Sequence, residues 1–267
     1  MRWLRTKWRI SLLLGVAALL ALVAWAGASG QRRSRQDETW ARCQREGVLR
    51  VGMDASYPPF EVEEGGTLWG YDVDLAREIG RQLGLQVVFV NVSFDGLYDA
   101  LAAGRCDILI SALPYERQRT RDVLYTGGYF NAGQVLVVRG DNQDIRGHQD
   151  LAHRRVAVEM GSLAHQEALR LRDREHIALS IVPTQSGKQA LDLVQAGEVE
   201  AAIADKVTAR LGLREHLGLE LRGAALTDES YVIAVRQDSP QLFAAVSSVL
   251  DSLRGEGWLE TLTDRWL

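Results

Sequence analysis

The chain has 267 residues, of which 46% are apolar and 25% charged, and only five are proline. This is the composition of a globular protein with one large or two smaller domains, and it excludes a disordered or fibrous chain. Residues 1–35 hold seven basic residues and no acid, which leaves 24 basic and 35 acidic residues in the remainder, a net charge of −11. A body this acidic is a poor partner for nucleic acid or for an anionic membrane surface.

The N-terminal segment is predicted to direct export. Basic residues before position 10 precede an uncharged run over 10–30, and the sequence AGA at 26–28 fits the cleavage pattern of a secretory signal peptide. The run is also long enough to cross a bilayer, so an uncleaved anchor is the alternative. We therefore assign 1–30 to a signal peptide or an N-terminal membrane anchor and 31–36 to a polar linker, and expect a periplasmic or cell-surface protein.

Alternating strands and helices follow the linker. In the first half, apolar spacing and helix-ending glycines predict a helix at 37–46, a strand at 49–53, a helix at 72–83, a strand at 87–90, a helix at 95–103 and a strand at 107–110. Strand, helix and strand at this spacing are typical of parallel strands joined by right-handed crossovers.

The second half repeats this plan. The predicted elements are a strand at 156–159, a helix at 162–171, a strand at 177–182, a helix at 186–196, a strand at 201–204, a helix at 206–215, a strand at 231–236 and helices at 240–254 and 258–266. The sequences LAAGRCDILI at 101–110 and VQAGEVEAAI at 194–203 align without gaps at an offset of 93 residues. This repeat predicts two similar α/β lobes with a cleft between them, a common place for a small ligand.

Two cysteines, Cys43 and Cys106, lie in the first half. In an oxidising compartment an even pair is a candidate for a disulfide. The alternative is two unpaired thiols that pack as small apolar side chains. The sequence leaves both open.

The loop after the first strand, MDASYPPFE, has an unusual composition for a simple turn. Pro58 and Pro59 restrict the backbone, so the loop is expected to be stiff. It follows the carboxyl end of a strand, where open α/β sheets bind ligands. We therefore expect a recognition loop that presents side chains to a ligand.

Seven segments in chain order resemble the extracellular solute-binding proteins of family 3, the amino-acid receptors of ABC importers. They are LRVGMDASYPPFE, LWGYDVDLAREIGRQLG, VSFDGLYDALAAGRCDILIS, ERQRTRDVLYTGGYF, VAVEMGS, ALDLVQAGEVEAAIAD and GEGWLETLTDRW. The resemblance implies the two-lobe type II periplasmic-binding-protein fold, an α/β fold that closes on a ligand in the cleft between lobes. Lobe 1 would comprise 37–132 and 227–267, and lobe 2 would comprise 133–226.

The same resemblance implies the residues that bind the backbone of an amino acid. Arg119 would clamp the ligand carboxylate, for which a guanidinium is suited, although an arginine in a charged helix is usually solvated. Asp205 would meet the ligand ammonium, or serve only as a helix N-cap. Ser111 and Ala112, at the end of a strand, would contact the ligand backbone. Pro114 stands where relatives carry a serine or threonine, which removes one polar contact.

Further residues are implied on both lobes. Gly161 and Ser162 open a helix whose free N–H groups suit a carboxylate, while ordinary capping by the serine is the alternative. Tyr57 and Phe94 would flank the ligand side chain, or else pack in the core. Asp54 would influence specificity and shifts the expectation toward a polar or cationic amino acid.

The resemblance implies a monomeric receptor that delivers an amino acid to an ABC transporter permease and carries out no reaction. It implies no cofactor, and the five histidines show no metal-binding spacing. A membrane-tethered amino-acid sensor is one alternative function. A dehydratase that acts on cyclohexadienyl or prephenate-type substrates is another, with Glu159 or Glu167 as the acid.

Overall fold

The computed structural model describes residues 37–216 and 218–267. The predicted signal peptide or anchor and the linker lie outside these residues. Within the described part of the chain, no helix combines the length and the apolar character needed to cross a bilayer.

The described chain alternates helices and strands along its whole length. The helices are α1 (Glu38–Glu46), α2 (Tyr71–Leu83), α3 (Leu97–Ala102), α4 (Leu163–Asp173), α5 (Gly187–Gln195), α6 (Lys206–Glu215), α7 (Pro240–Gly255) and α8 (Trp258–Trp266). Short 3-10 turns occupy Phe94–Gly96, Arg117–Arg119 and His148–Leu151.

The strands are short, as expected for an α/β fold. They are β1 (Val48–Met53), β2 (Ser56–Tyr57), β3 (Glu61–Glu64), β4 (Thr67–Trp69), β5 (Gln86–Asn91), β6 (Ile108–Leu109), β7 (Val123–Tyr125), β8 (Phe130–Asn131), β9 (Gln134–Arg139), β10 (Arg155–Glu159), β11 (Ser180–Thr184), β12 (Ala201–Asp205), β13 (Leu219–Arg222), β14 (Ser230–Tyr231) and β15 (Ala234–Arg236).

Two five-stranded sheets organise the molecule. The first has the order β5-β1-β6-β15-β7, and the second has the order β11-β10-β12-β9-β13. In each sheet the first three strands are parallel and the remaining strands pair antiparallel to their neighbours. We call the first sheet with its helices lobe 1 and the second with its helices lobe 2. The predicted two-lobe α/β fold is confirmed.

Buried apolar side chains fix the helices on each sheet. In lobe 1, Leu49 and Val51 of β1 pack in one cluster with Ile79 of α2 and Leu250 of α7. Full burial of each such side chain contributes about 1.5–3 kcal/mol relative to leaving it in water. Lobe 2 has separate buried clusters on its sheet, so each lobe has its own core.

The internal repeat corresponds to a repeated structural unit. Asp107, before β6, accepts the Arg50 N–H at 2.8 Å and binds the Arg50 guanidinium at 2.8 Å. Glu200, before β12, does the same with Arg155 at 2.7 and 2.8 Å. Each carboxylate therefore locks the central strand of its sheet to the next strand, which explains the acid shared by the two repeats.

Two segments cross between the sheets side by side. Phe130–Asn131 pairs antiparallel with Ser230–Tyr231. At Gly133 the two backbones approach so closely that a Cβ atom would lie 2.0 Å from the Thr227 carbonyl oxygen. This crossing tolerates only glycine without a shift of the backbone.

Two local predictions are corrected by the structure, and one sheet was not predicted. The strand expected at 231–236 is divided, because Tyr231 pairs with the crossing strand β8 while Ala234 joins the sheet of lobe 1. The strand expected at 177–182 lies at Ser180–Thr184. Strands β2, β3 and β4 form a small separate sheet that the sequence did not predict.

Cys43 and Cys106 are both buried free thiols. They pack in two different clusters of lobe 1. Burial, and then the charge of Asp107, raises the pKa of Cys43 to about 12 and that of Cys106 to about 11. Of the two alternatives left open by the sequence, the structure has the unpaired, unreactive thiols.

Candidate functional site

A cavity of about 240 Å³ lies between the lobes, beside the crossing strands. Lobe 2 contributes the ends of β10 and β12 and the starts of α4 and α5, and lobe 1 contributes the loop after β1. The lining residues are Tyr57, Ala132, Gln134, Glu159, Ser162, Leu163, Ala164, Gly187, Ile203, Ala204, Asp205, Glu229 and Tyr231. Three predicted site residues, Tyr57, Ser162 and Asp205, are therefore brought together here.

Asp54 organises the lobe 1 side of the cleft. Its Oδ2 accepts the Phe94 N–H at 2.7 Å and its Oδ1 accepts the Ser56 hydroxyl at 2.7 Å. Its own N–H donates to Ser111 Oγ at 2.9 Å. Asp54 thus joins the segments that carry Tyr57 and Phe94 to the segment after β6, and through it the predicted site residues Asp54, Phe94 and Ser111 are directly connected.

The two predicted aromatic residues are exposed, which excludes core packing. Tyr57 exposes 45% of its surface and Phe94 exposes 44%. Tyr57 also stacks on Phe60, with ring centroids 5.7 Å apart. Because Phe60 is fully buried, it supports the Tyr57 ring from the lobe 1 core.

Ser111 and Ala112 are almost fully buried. Ala112 has a φ of +41°, in the left-handed region that residues other than glycine rarely adopt. Pro114 forms a bridge with Tyr231 of the crossing strand. The residue that departs from the family pattern therefore lies against the cavity lining.

Arg119 is held above the surface of lobe 1, outside the cavity lining. Its guanidinium carbon lies 4.0 Å from the centroid of the Tyr98 ring, and its Nε donates to Glu116 Oε2 at 3.1 Å. Stacking orients the guanidinium plane. Its two Nη groups make no hydrogen bond to the described residues and remain able to bind an anion.

Asp205 caps helix α6 at the end of β12. Its Oδ1 accepts the Thr208 N–H at 2.9 Å, which is the N-cap geometry. The capping role is therefore present, and the side chain lines the cavity at the same time. A single carboxylate can serve both roles, because its second oxygen is not used by the cap.

The start of α4 is occupied by its own residues. Ser162 Oγ accepts the His165 N–H at 3.2 Å and donates to the Glu159 carbonyl at 2.7 Å. Gly161, with a φ of +82°, donates its N–H to His165 Nδ1 at 3.0 Å. A ligand carboxylate at this helix start would have to displace His165, which was not predicted as a site residue.

Three carboxylates and one amide line the cavity, and two of these four residues, Gln134 and Glu229, were not predicted from the sequence. Glu159 Oε2 accepts the Gly187 N–H at 2.9 Å. Glu229 Oε1 accepts from Gln134 Nε2 at 3.2 Å. Gln134 is 2% exposed, and its Oε1 has no hydrogen-bond partner in the described structure. Together with Asp205 these groups give the cavity a negative lining, and no Lys, Arg or His is among its described residues.

Glu167, named with Glu159 as a candidate acid, lies elsewhere. It is buried and paired with Arg170 through contacts of 2.6 and 2.7 Å. A carboxylate held by two guanidinium contacts is an ion-pair partner and not a free acid. No group of three or more metal-ligating side chains occurs in the described part of the chain.

Comparisons with known proteins agree on the type of molecule. Residues 49–267 match the family model "Bacterial extracellular solute-binding proteins, family 3". The "Probable amino-acid-binding protein YxeM" of Bacillus subtilis is 28% identical over 97% of this chain and 94% of its own length. The "L-arginine-binding protein" of Pseudomonas aeruginosa is 29% identical over 82% of this chain and 87% of its own length.

One solved structure has the same fold at lower sequence identity. It is the L-cystine solute receptor of Neisseria gonorrhoeae in its unliganded open conformation. The TM-score is 0.74 at 23% identity, covering 85% of this chain and 95% of that chain. This similarity supports the two-lobe architecture.

Proposed function

The chain belongs to the bacterial extracellular solute-binding proteins of family 3, and on that basis we propose that it is an exported receptor for a free amino acid. The amino acid would bind in the cleft between the lobes and be delivered to the permease of an ABC transporter. The observation that carries this proposal is the cavity between the lobes, which combines a carboxylate at the end of β12 with an aromatic residue from the opposite lobe.

Each lobe supplies half of the polar groups that an amino acid needs. Arg119 on lobe 1 has two Nη groups that bind no described residue and can receive the carboxylate, and Asp205 on lobe 2 has a carboxylate oxygen for the ammonium. Binding both ends of one ligand favours the closed arrangement of the lobes, because only that state makes both sets of contacts.

We further propose a cationic side chain on the ligand. Among the described residues, the cavity lining includes Glu159, Asp205 and Glu229 but no Lys, Arg or His. One of these carboxylates would pair with the ligand ammonium. The remaining negative charge would then favour a ligand with a cationic side chain. The exposed ring of Tyr57 adds a face suited to a guanidinium or ammonium group.

The cavity and its contacts favour binding over catalysis. Glu159, the candidate acid that does line the cavity, already accepts the Gly187 N–H and so tethers the start of α5. A dehydratase would need this carboxyl free to donate a proton to its substrate. A membrane-tethered sensor remains an alternative role for the same binding site, and it would differ in the fate of the N-terminal segment.

A thermal-shift panel of the purified chain tests the proposal. We expect L-arginine, L-lysine or L-ornithine to raise the melting temperature (Tm) and L-glutamate and L-leucine to leave it unchanged. A ligand at 100 times its dissociation constant (Kd) stabilises by about 2.7 kcal/mol, or about 5–10 °C at this size. A response to acidic amino acids alone would contradict the charge argument, and prephenate consumption would favour the dehydratase. Recovery of the chain with membranes, without uptake of the ligand, would favour the sensor.

A further inference from the structure

Two carboxyl groups lie inside lobe 1, directly beneath the predicted ligand site. Glu61, at the start of β3, is 1% exposed, and Asp72, in the first turn of α2, is completely buried. Neither takes part in an ion pair among the described residues. Buried carboxyls without a basic partner are rare, because burial disfavours the charged form.

Two predicted site residues, Ser111 and Ala112, and the buried Tyr129 donate hydrogen bonds to this pair. Ser111 Oγ donates to Glu61 Oε1 at 2.8 Å. The Ala112 N–H donates to Asp72 Oδ2 at 2.5 Å, and the Tyr129 hydroxyl donates to the same oxygen at 2.8 Å. The pair therefore holds both predicted site residues that follow β6.

The other two carboxyl oxygens, Glu61 Oε2 and Asp72 Oδ1, are buried and accept no hydrogen bond from any other residue in the described part of the chain. The two side chains nevertheless lie within hydrogen-bonding reach of each other. A single proton between them satisfies both oxygens, whereas two ionised carboxylates in contact would repel each other in a medium of low polarity.

The neighbouring groups favour retention of that proton. Asp72 already accepts two hydrogen bonds, so it is the better site for the charge, and Glu61 carries the proton. Burial, and then the charge of Asp72, raises the pKa of Glu61 to about 11, and burial raises that of Asp72 to about 6. The other titratable groups facing the pair are acids: Asp54, Tyr71, Tyr129 and Tyr231.

The pair also determines what Ser111 can do. Ser111 accepts the Asp54 N–H at 2.9 Å and gives its only proton to Glu61. Its hydroxyl therefore has no proton left for a ligand, and a contact with the ligand would come from the backbone. Ala112, in its left-handed conformation, is fixed by the bond to Asp72.

We propose that Glu61 and Asp72 form a proton-sharing positioning pair that sets the geometry of Ser111 and Ala112, so that ligand affinity depends on the pair keeping exactly one proton. This inference rests on the proposed function for its link to affinity. The pair itself is independent of any ligand.

Amide variants test the shared proton. In Glu61→Gln or in Asp72→Asn, the new NH₂ group replaces the shared proton and donates to the remaining carboxylate. Each single variant should therefore fold and bind L-arginine with a Kd within about threefold of wild type. In the double variant no carboxylate remains, so either the two amide nitrogens face each other or one of them faces the donor from Ser111 or Ala112. Two donors then oppose each other in a buried position, and the double variant should bind at least about tenfold more weakly.

A ligand-free measurement separates the pair from the proposed function. A raised pKa in the folded state stabilises the fold below the unfolded value near 4.5, and this stability is lost as pH rises toward 11. Glu61→Gln lacks this loss, so its Tm should increase relative to wild type from pH 5 to pH 9. A Tm difference that stays constant across this range would contradict a shared proton. A loss of affinity in either single variant as large as that in the double variant would contradict it as well.

The two failures remain distinguishable. If the wild-type protein does not bind L-arginine, the proposed ligand class is wrong. The dependence of Tm on pH still shows whether Glu61 and Asp72 share a proton. If wild type binds and the double variant folds with unchanged affinity, the positioning role is wrong although the pair exists.

Discussion

Asp205→Asn separates the two roles that Asp205 can play. The substitution removes the charge expected to face the ligand ammonium. It keeps a side-chain oxygen that can accept the Thr208 N–H, which lies 2.9 Å from Asp205 Oδ1 in the present structure. Asparagine is as good an N-cap residue as aspartate. The substitution should therefore weaken ligand binding much more than it lowers the stability of the fold.

The expected effects differ clearly in size. A hydrogen bond to a charged group contributes about 1.5–3 kcal/mol, so the Kd for the ligand should rise about 10- to 150-fold. The lost charge at the start of α6 should lower stability by about 0.3–1 kcal/mol through the helix dipole. Isothermal titration calorimetry with L-arginine gives the first quantity, and urea unfolding gives the second.

Ser186→Ala is the matched control. Ser186 Oγ caps α5 by accepting the Gln189 N–H at 3.1 Å, so its loss should lower stability by about 1 kcal/mol and leave the Kd unchanged. If Asp205→Asn binds within twofold of wild type, Asp205 is a helix cap only, and the assignment of the ammonium site is refuted.

Three further predictions test the site and the fold. Arg119→Ala should weaken ligand binding about 10- to 150-fold, and Arg119→Lys should recover only part of this affinity, because an ammonium cannot bind a carboxylate through two parallel bonds. Arg117→Ala, exposed in the same turn, is the control in the same calorimetric titration. An equal loss of affinity in Arg119→Ala and Arg117→Ala would contradict the assignment of Arg119 to the ligand carboxylate. Gly133→Ala places a Cβ 2.0 Å from the Thr227 carbonyl oxygen and should lower the free energy of unfolding by at least about 2 kcal/mol, whereas Gly255→Ala, with open space around it, should have little effect in the same urea titration. Dithiothreitol should leave the Tm unchanged because both thiols are free, while a fall of several degrees would indicate a bridge, which typically contributes about 2–4 kcal/mol.

The repeated α/β units could be predicted because their signals are local. Helix α2 shows apolar residues at helical spacing and ends at Gly84, which has the left-handed backbone typical of that position. The repeat around Asp107 and Glu200 predicted two lobes, and the structure gives its reason in the matching bonds to Arg50 and Arg155.

The small sheet escaped prediction because its strands are two to four residues long and largely exposed. The strand expected at 231–236 failed for a different reason. Its apolar run is continuous in the sequence, but Tyr231 and Ala234 pair with strands of different sheets. Periodicity in the sequence carries no information about such a division.

The site residues that were not predicted from the sequence depend on contacts between distant segments of the chain. Gln134 and Glu229 meet 95 residues apart in the chain, and neither belongs to a local motif. His165 had a weak local signal, since it stands three residues after the capping Ser162. Glu61 and Asp72 looked like ordinary acids of a loop and a helix start, and only the tertiary structure shows their burial.

Equilibrium dialysis of the purified chain with labelled L-arginine tests whether the protein is a receptor for a cationic amino acid. We expect saturable binding of one arginine per chain, competition by L-lysine and recovery of the amino acid unchanged. Absence of binding by folded protein, or displacement of the label by L-glutamate and not by L-lysine, would contradict a receptor for a cationic amino acid.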